Sequence, residues 1–159
     1  MRHRLLFIVL LGLAVPVAAQ KQSLGIFGGW GAFRETSRCF AIAQPVQVPR
    51  AGQWEPFASV GYWPRRNLRG QVHFRLSREK RRGSAVLLRI DDRSFQLVAG
   101  GADAWAPDAR ADAEIVAAMR NGVEMVVETR ATTGARVRDQ YRLRGAATAI
   151  DAAAIGCAR

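Results

Sequence analysis

Residues 71–78 alternate in character: Val72, Phe74 and Leu76 are apolar, while Gln71, His73, Arg75 and Ser77 are polar. A period of two is that of an antiparallel strand with one face buried and one in water. Apolar runs at residues 39–43, 57–63 and 85–90 predict further strands, with Pro64 ending the second. Three prolines between positions 45 and 56 mark a loop, and Gly28-Gly-Trp-Gly31 reads as a turn around Trp30. Asp91-Asp-Arg93 turns the chain into a strand over 94–98 that stops at Gly100-Gly101. The period then changes. Residues 109–121 predict a helix, with Asp108 as its N-cap, Ile115, Val116 and Met119 on or beside one face, and Asn121-Gly122 as its stop. Strands follow over 123–130 and 136–144, and an alanine-rich helix over 146–157 places Ile150 and Cys157 on one face. This order predicts a mainly β fold: an antiparallel β-sandwich or partly open barrel with two short helices.

The last two strands can be aligned from their side chains. Val123, Met125 and Val127 share a face, as do Val137, Tyr141 and Leu143, with Asp139 the exception on that side. Matching the apolar faces puts Met125 opposite Tyr141, Val123 opposite Leu143, Glu128 opposite Arg138 and Glu124 opposite Arg142. Two cross-strand ion pairs follow, each worth roughly 0.2–1 kcal/mol, and Arg136 and Arg144 are left without partners.

The chain has 159 residues, a length suited to one domain. Its start changes what the rest must be. Arg2, His3 and Arg4 precede an uncharged apolar run over 5–17, and Val17-Ala18-Ala19 offers modest side chains for cleavage. This is the layout of a secretory signal peptide, too short to span a bilayer, so residues 1–19 are expected to leave and 20–159 to form one domain in the periplasm or outside the cell. In an oxidising compartment the two cysteines, Cys39 and Cys157, are expected to pair, although two free thiols or pairing with another chain are the alternatives. A bridge closing so long a loop stabilises by roughly 4–5 kcal/mol in the chain-entropy account.

The formal net charge is +11, carried by 24 Lys and Arg against 13 Asp and Glu. Losing Arg2 and Arg4 lowers it by two. The densest remaining stretch is Arg65, Arg66, Arg69, Arg75, Arg78, Lys80, Arg81 and Arg82, with only Glu79 to offset it and with Tyr62 and Trp63 at its edge. Either this is a solvated loop that keeps the protein soluble, or it meets an anionic partner. Export argues against nucleic acid. The expected partners are an anionic envelope surface, including peripheral contact with lipid headgroups, or an acidic glycan or protein.

Catalytic chemistry is sparse. His73 is the one histidine left after signal removal, and no cysteine or carboxylate stands beside it at metal-ligand spacing. Asp91 and Asp92 read as turn formers, and Asp108, Asp112 and Glu114 as helix-start acids rather than a calcium loop. There is no phosphate-binding loop, dinucleotide fingerprint, nucleophile elbow or zinc-protease motif. No enzyme, metal or cofactor is expected; convergence of Asp91, Asp92 and His73 in one pocket would revive an enzyme.

Four segments resemble the invasion-associated locus B family of exported bacterial proteins. They are Phe27-Gly-Gly-Trp30, then Cys39 through Gln44, then residues 112–122 ending in Arg120-Asn-Gly122, and finally Tyr141-Arg-Leu-Arg-Gly145 with Ala149-Ile-Asp151. The family's cysteine shortly after the tryptophan is absent, and Cys157 is then a replacement partner for Cys39. The resemblance implies a periplasmic or surface-exposed β-rich domain, linked in pathogens to host-cell invasion and without enzymatic activity. Trp30, Gln44, Gly122 and Gly145 would be its structural positions. The expected function is an exported, non-enzymatic envelope domain that binds its partner through the basic patch; a periplasmic inhibitor or chaperone-like accessory acting on a protein client is the alternative.

Overall fold

The computed structural model describes residues 21–47 and 55–158; the expected signal segment and Trp54 lie outside them. Among the described residues there are ten strands and two α-helices. The strands are β1 Gln22–Phe27, β2 Trp30–Arg34, β3 Cys39–Ala43, β4 Phe57–Trp63, β5 Leu68–Arg75, β6 Val86–Ile90, β7 Arg93–Gly100, β8 Asp103–Trp105, β9 Glu124–Arg130 and β10 Arg136–Arg142; the helices are α1 Ala109–Asn121 and α2 Ala146–Gly156. The expected strands at 39–43 and 57–63 and the helix at 109–121 are found at those limits. Three differences have simple causes. The turn around Trp30 is the tip of a β1–β2 hairpin, whose first strand carries a bulge at Gly25 that breaks its alternation. β8 has three residues, too few to display a period. β5 runs over 68–75 rather than 71–78, because beyond Arg75 the chain leaves its ladder, and Leu76 N–H donates to Ala102 O at 2.7 Å.

All neighbouring strands are antiparallel, in the order β1-β2-β3-β4-β5-β8-β7-β6-β9-β10. The sheet folds over on itself without pairing its two edges. Trp30 Nε1 on β2 donates to Arg142 O on β10 at 2.9 Å, Val46 N–H after β3 donates to Gln140 O at 2.7 Å, and the Phe74 and Tyr141 rings lie 6.4 Å apart. The two halves thus face each other across one core. That core is built from alternate positions: Val60, Val72, Phe74, Leu88, Ile90, Met125 and Tyr141 are each 0–2% exposed. Their chain neighbours Leu87, Arg89, Glu124 and Arg142 face outward. α1 adds Ile115 and Met119 to the core.

α2 closes one end. Ala146, Ala149, Ile150 and Ala153 form its buried face, and such small side chains let it lie close against β1–β3. Cys157 is bonded to Cys39 on β3 across 118 residues, with Cα atoms 5.6 Å apart. The bridge pins the last turn of a helix that has glycine at its N-cap and no side-chain cap.

The positions singled out by the family resemblance fall mostly on structural joints. Trp30 is fully buried and tied to β10. Gly145, at φ +91°, lies so close to Phe27 O that no Cβ fits, and a Cβ on Gly28 would lie 2.6 Å from Arg144 O. The β1–β2 turn therefore packs backbone to backbone against the end of the last hairpin. Gly122 follows α1 and is crowded by Ile90 and Leu143. Gln44 differs: it is exposed, and its amide donates to Glu55 at 3.1 Å.

Candidate anion-binding surface

The sequence cluster of eight cations divides. β5 is eight residues long, about 26 Å at roughly 3.3 Å per residue. Arg65 and Arg66 sit on a 3-10 turn at Pro64–Arg66 before it, and Arg69 lies at its start. Arg78, Lys80, Arg81 and Arg82 lie beyond its far end. Arg75, between them, is engaged on the outer face: its Nε donates to Asp103 Oδ1 at 2.7 Å. His73 shares that carboxylate at 2.8 Å, stacked against Trp105 and edge-on to Phe57.

The fold gives the far cations new neighbours. Arg81 N–H donates to Arg130 O at 2.8 Å, Thr132 N–H donates to Glu79 O at 3.1 Å, and Lys80 bridges to Ala131. These backbone bonds fasten the β5–β6 loop to the β9–β10 hairpin. Arg78, Lys80, Arg81 and Arg82 thereby join Arg130, Arg136 and Arg138 at one end of the molecule. Nothing in the sequence marked the last three as partners of a loop some fifty residues earlier, because the only signal for it is the tertiary pairing itself.

The hairpin register is as expected: Arg138 lies opposite Glu128, Tyr141 opposite Met125 and Arg142 opposite Glu124, and Leu143 N–H donates to Val123 O. Of the two ion pairs expected on it, Glu128–Arg138 is found and Glu124 takes a different partner. Glu128 accepts from Arg136 at 2.9 Å and lies 3.5 Å from Arg138 Nε, so Arg136, expected to be unpaired, is held in place. Glu124 accepts from Gln140 at 2.6 Å instead of from Arg142. Diagonal neighbours on a twisted hairpin lie within reach of long side chains, and here they prevail over the direct pair. Val123 was expected on the buried face but is 77% exposed, because it precedes β9 at the exit from α1.

Two depressions flank Arg136. One, of about 500 Å³, is lined by Ser84, Ala85, Leu87, Glu128, Thr129, Arg130 and Arg136. The other, of about 270 Å³, is lined by Gln47, Ser77, Arg78, Arg136, Val137, Arg138 and Asp139. Asp139 is the exception in the strand's alternation, and the fold uses it. It points inward and is buried, and Oδ2 accepts the Ser77 N–H at 2.8 Å. Burial raises its pKa, and hydrogen bonds from the hydroxyl and N–H of Ser77 oppose that rise. Farther in, the Tyr141 hydroxyl is buried without a hydrogen-bond partner among the described residues; burial, and secondarily the Asp139 charge, lift its pKa well above the ordinary range.

The opposite end has another character. Arg69 lines a hollow of about 350 Å³ with Tyr62, Pro64, Leu68, Ala154, Cys157 and Ala158. Nearby, Arg120 is paired with Asp151. Burial raises the Tyr62 pKa, and Arg120 works against it.

Asp91 and His73 do not meet. Asp91, at φ +49°, turns β6 into β7 and accepts the N–H groups of Val123 and Glu124, while His73 belongs to the Asp103 cluster. Asp108 caps α1 through Ala111 N–H at 2.8 Å, and Asp112 accepts Val72 N–H at 2.7 Å, tying α1 to β5. Among the described residues no three His, Cys, Asp or Glu side chains are grouped to hold a metal ion, and no helix is long and apolar enough to cross a membrane. The chain matches no protein-family model, no curated protein and no solved structure.

Proposed function

We propose that this is an exported, non-enzymatic β domain of the cell envelope that binds a polyanionic partner through the end formed by the β5–β6 loop and the β9–β10 hairpin. One observation carries the reading: arginines from two distant segments are fastened together by backbone bonds, with two hollows between them. A surface that only kept the protein soluble has no need of fixed geometry. Summed positive potential over concave walls attracts an anionic partner and orients it before contact. The disulfide fits an oxidising compartment. The resemblance to the invasion-associated locus B family is part of the same proposal, supported by the way Trp30 and Gly145, from its first and last segments, meet at one joint.

The test is retention on heparin resin across a salt gradient. The Arg78→Gln, Arg136→Gln, Arg138→Gln triple variant is expected to elute at much lower salt than the wild type. An Arg65→Gln, Arg66→Gln, Arg69→Gln variant, which removes the same charge from the opposite end, is expected to elute close to the wild type. Equal losses in both variants would overturn the reading in favour of unspecific net charge.

A further inference from the structure

We propose that the hollow between the β4–β5 end and the last turn of α2 is a second binding site, which takes the apolar chain of a free medium-chain fatty acid and holds its carboxylate at Arg69. It lies at the opposite end from the polyanion surface and does not rest on that reading.

The argument starts from the lining. Pro64, Leu68, Ala154, Ala158 and the Tyr62 ring supply apolar walls, and Arg69 is the one charged residue among them. The volume of about 350 Å³ falls at the lower end of the roughly 300–1,000 Å³ of small-ligand pockets. Alanine at 154 and 158 leaves that space open, and the bridge from Cys157 to Cys39 fixes the α2 wall to the sheet. Arg69 is the cross-strand partner of Tyr62, so the two side chains share a face. It is exposed, within reach of a ligand at the mouth of the hollow. Among the described residues no carboxylate is ion-paired with Arg65, Arg66 or Arg69, whereas Arg120 nearby is engaged by Asp151. The planar fork of an arginine matches a carboxylate with two parallel bonds.

Three other occupants fit less well. A polyanion would set repeated charges against Pro64, Leu68 and the alanines. A peptide brings carbonyls that need donors. The N–H groups of Asn67, Cys157 and Ala158 are already given to Pro64 O, Ala153 O and Ile155 O, and proline has none. An acyl chain needs no such partner. A bilayer needs several apolar side chains projecting from one face. Leu68 is 38% exposed but lines the concavity, and Ile155, 56% exposed, lies on the face of α2 that carries Thr148 and Asp151. That face is polar and bears an acid, which an anionic membrane repels.

The experiment is calorimetric titration of the mature chain with monomeric hexanoate, octanoate and decanoate, with octanol as the uncharged probe. Sedimentation with vesicles of phosphatidylglycerol in phosphatidylcholine tests the bilayer. Affinity is expected to rise about three- to fourfold for each added methylene that the hollow buries. Arg69→Gln should weaken octanoate about tenfold or more and leave octanol unchanged. Ala154→Leu fills the hollow from the helix and should weaken octanoate and octanol alike, at least tenfold. Circular dichroism melts check that both variants fold; if Ala154→Leu does not, Ala158→Leu blocks the same space. Failure of decanoate to bind overturns the site. Octanoate binding that Arg69→Gln leaves intact overturns the role of Arg69. Vesicle binding that persists in the blocked variant, with fatty acids unbound, assigns this end to a membrane surface and overturns the proposal.

Discussion

Two buried polar side chains on β10 give the sharpest tests at the scale of single residues. Among the described residues the buried Tyr141 hydroxyl finds no hydrogen-bond partner, which leaves its desolvation cost without return. Tyr141→Phe keeps the ring and removes that cost, so it should raise stability by about 1 kcal/mol, read from the midpoint of urea unfolding. Asp139 is predicted to set a pH dependence. Its folded pKa lies above the unfolded value of about 3.9, so between those two values the folded chain holds a proton that the unfolded chain has released. Stability from this group is therefore full below about pH 3.9 and falls as pH rises through the raised folded value. Asp139→Asn should remove that decline. The test is urea unfolding from pH 3 to 6, and a wild type that gains stability relative to the variant on raising pH would refute it. The sequence singled out Asp139 as the break in an apolar face. It did not reveal Ser77, whose N–H lies 62 positions away and reaches the carboxylate only through the folded-over sheet.

The helices and strands were more legible than their ends. α1 stands where its period and Asp108 placed it, since N-cap and apolar face are both local properties. Asp108→Ala should cost about 1 kcal/mol, measurable by thermal unfolding. α2 depends on more than itself. Its N-cap is a glycine in the left-handed region, and the bridge at its other end is what fixes it to β3. Replacing Cys39 and Cys157 together by alanine should destabilise the chain by about 2–5 kcal/mol. Reductant should lower the wild-type melting temperature towards that of the variant and leave the variant unchanged. β1 and β8 escaped notice for opposite reasons. The first is interrupted by Gly25, and the second is a three-residue ladder held by strands on both sides. Their pairing energy comes from neighbours that a local window does not contain.

For the whole molecule, the joint between the β1–β2 turn and Gly145 holds the folded-over sheet together at positions far apart in sequence. Gly145→Ala places a methyl group against Phe27 O, so it should cost about 2–3 kcal/mol. Gly134, also at positive φ but in open space, is the control and should lose less on the same substitution. Circular dichroism melts of the two variants separate steric closure from backbone preference.

The sequence by itself determined the strand alternation, both helices, the last hairpin's register and the capacity of two cysteines to pair. Each follows from short-range periodicity, from side-chain matching across one turn, or from composition. Only the tertiary structure decided which charges act together. It moved Arg65, Arg66 and Arg69 to one end of β5, neutralised Arg75 with Asp103, and set Arg78 to Arg82 beside Arg130, Arg136 and Arg138. A strand separates residues along its length by about 3.3 Å each, whereas a ladder brings distant residues to within about 5 Å. Charge density along the chain and charge density in space therefore diverge in a folded sheet, and only the second is available to a ligand.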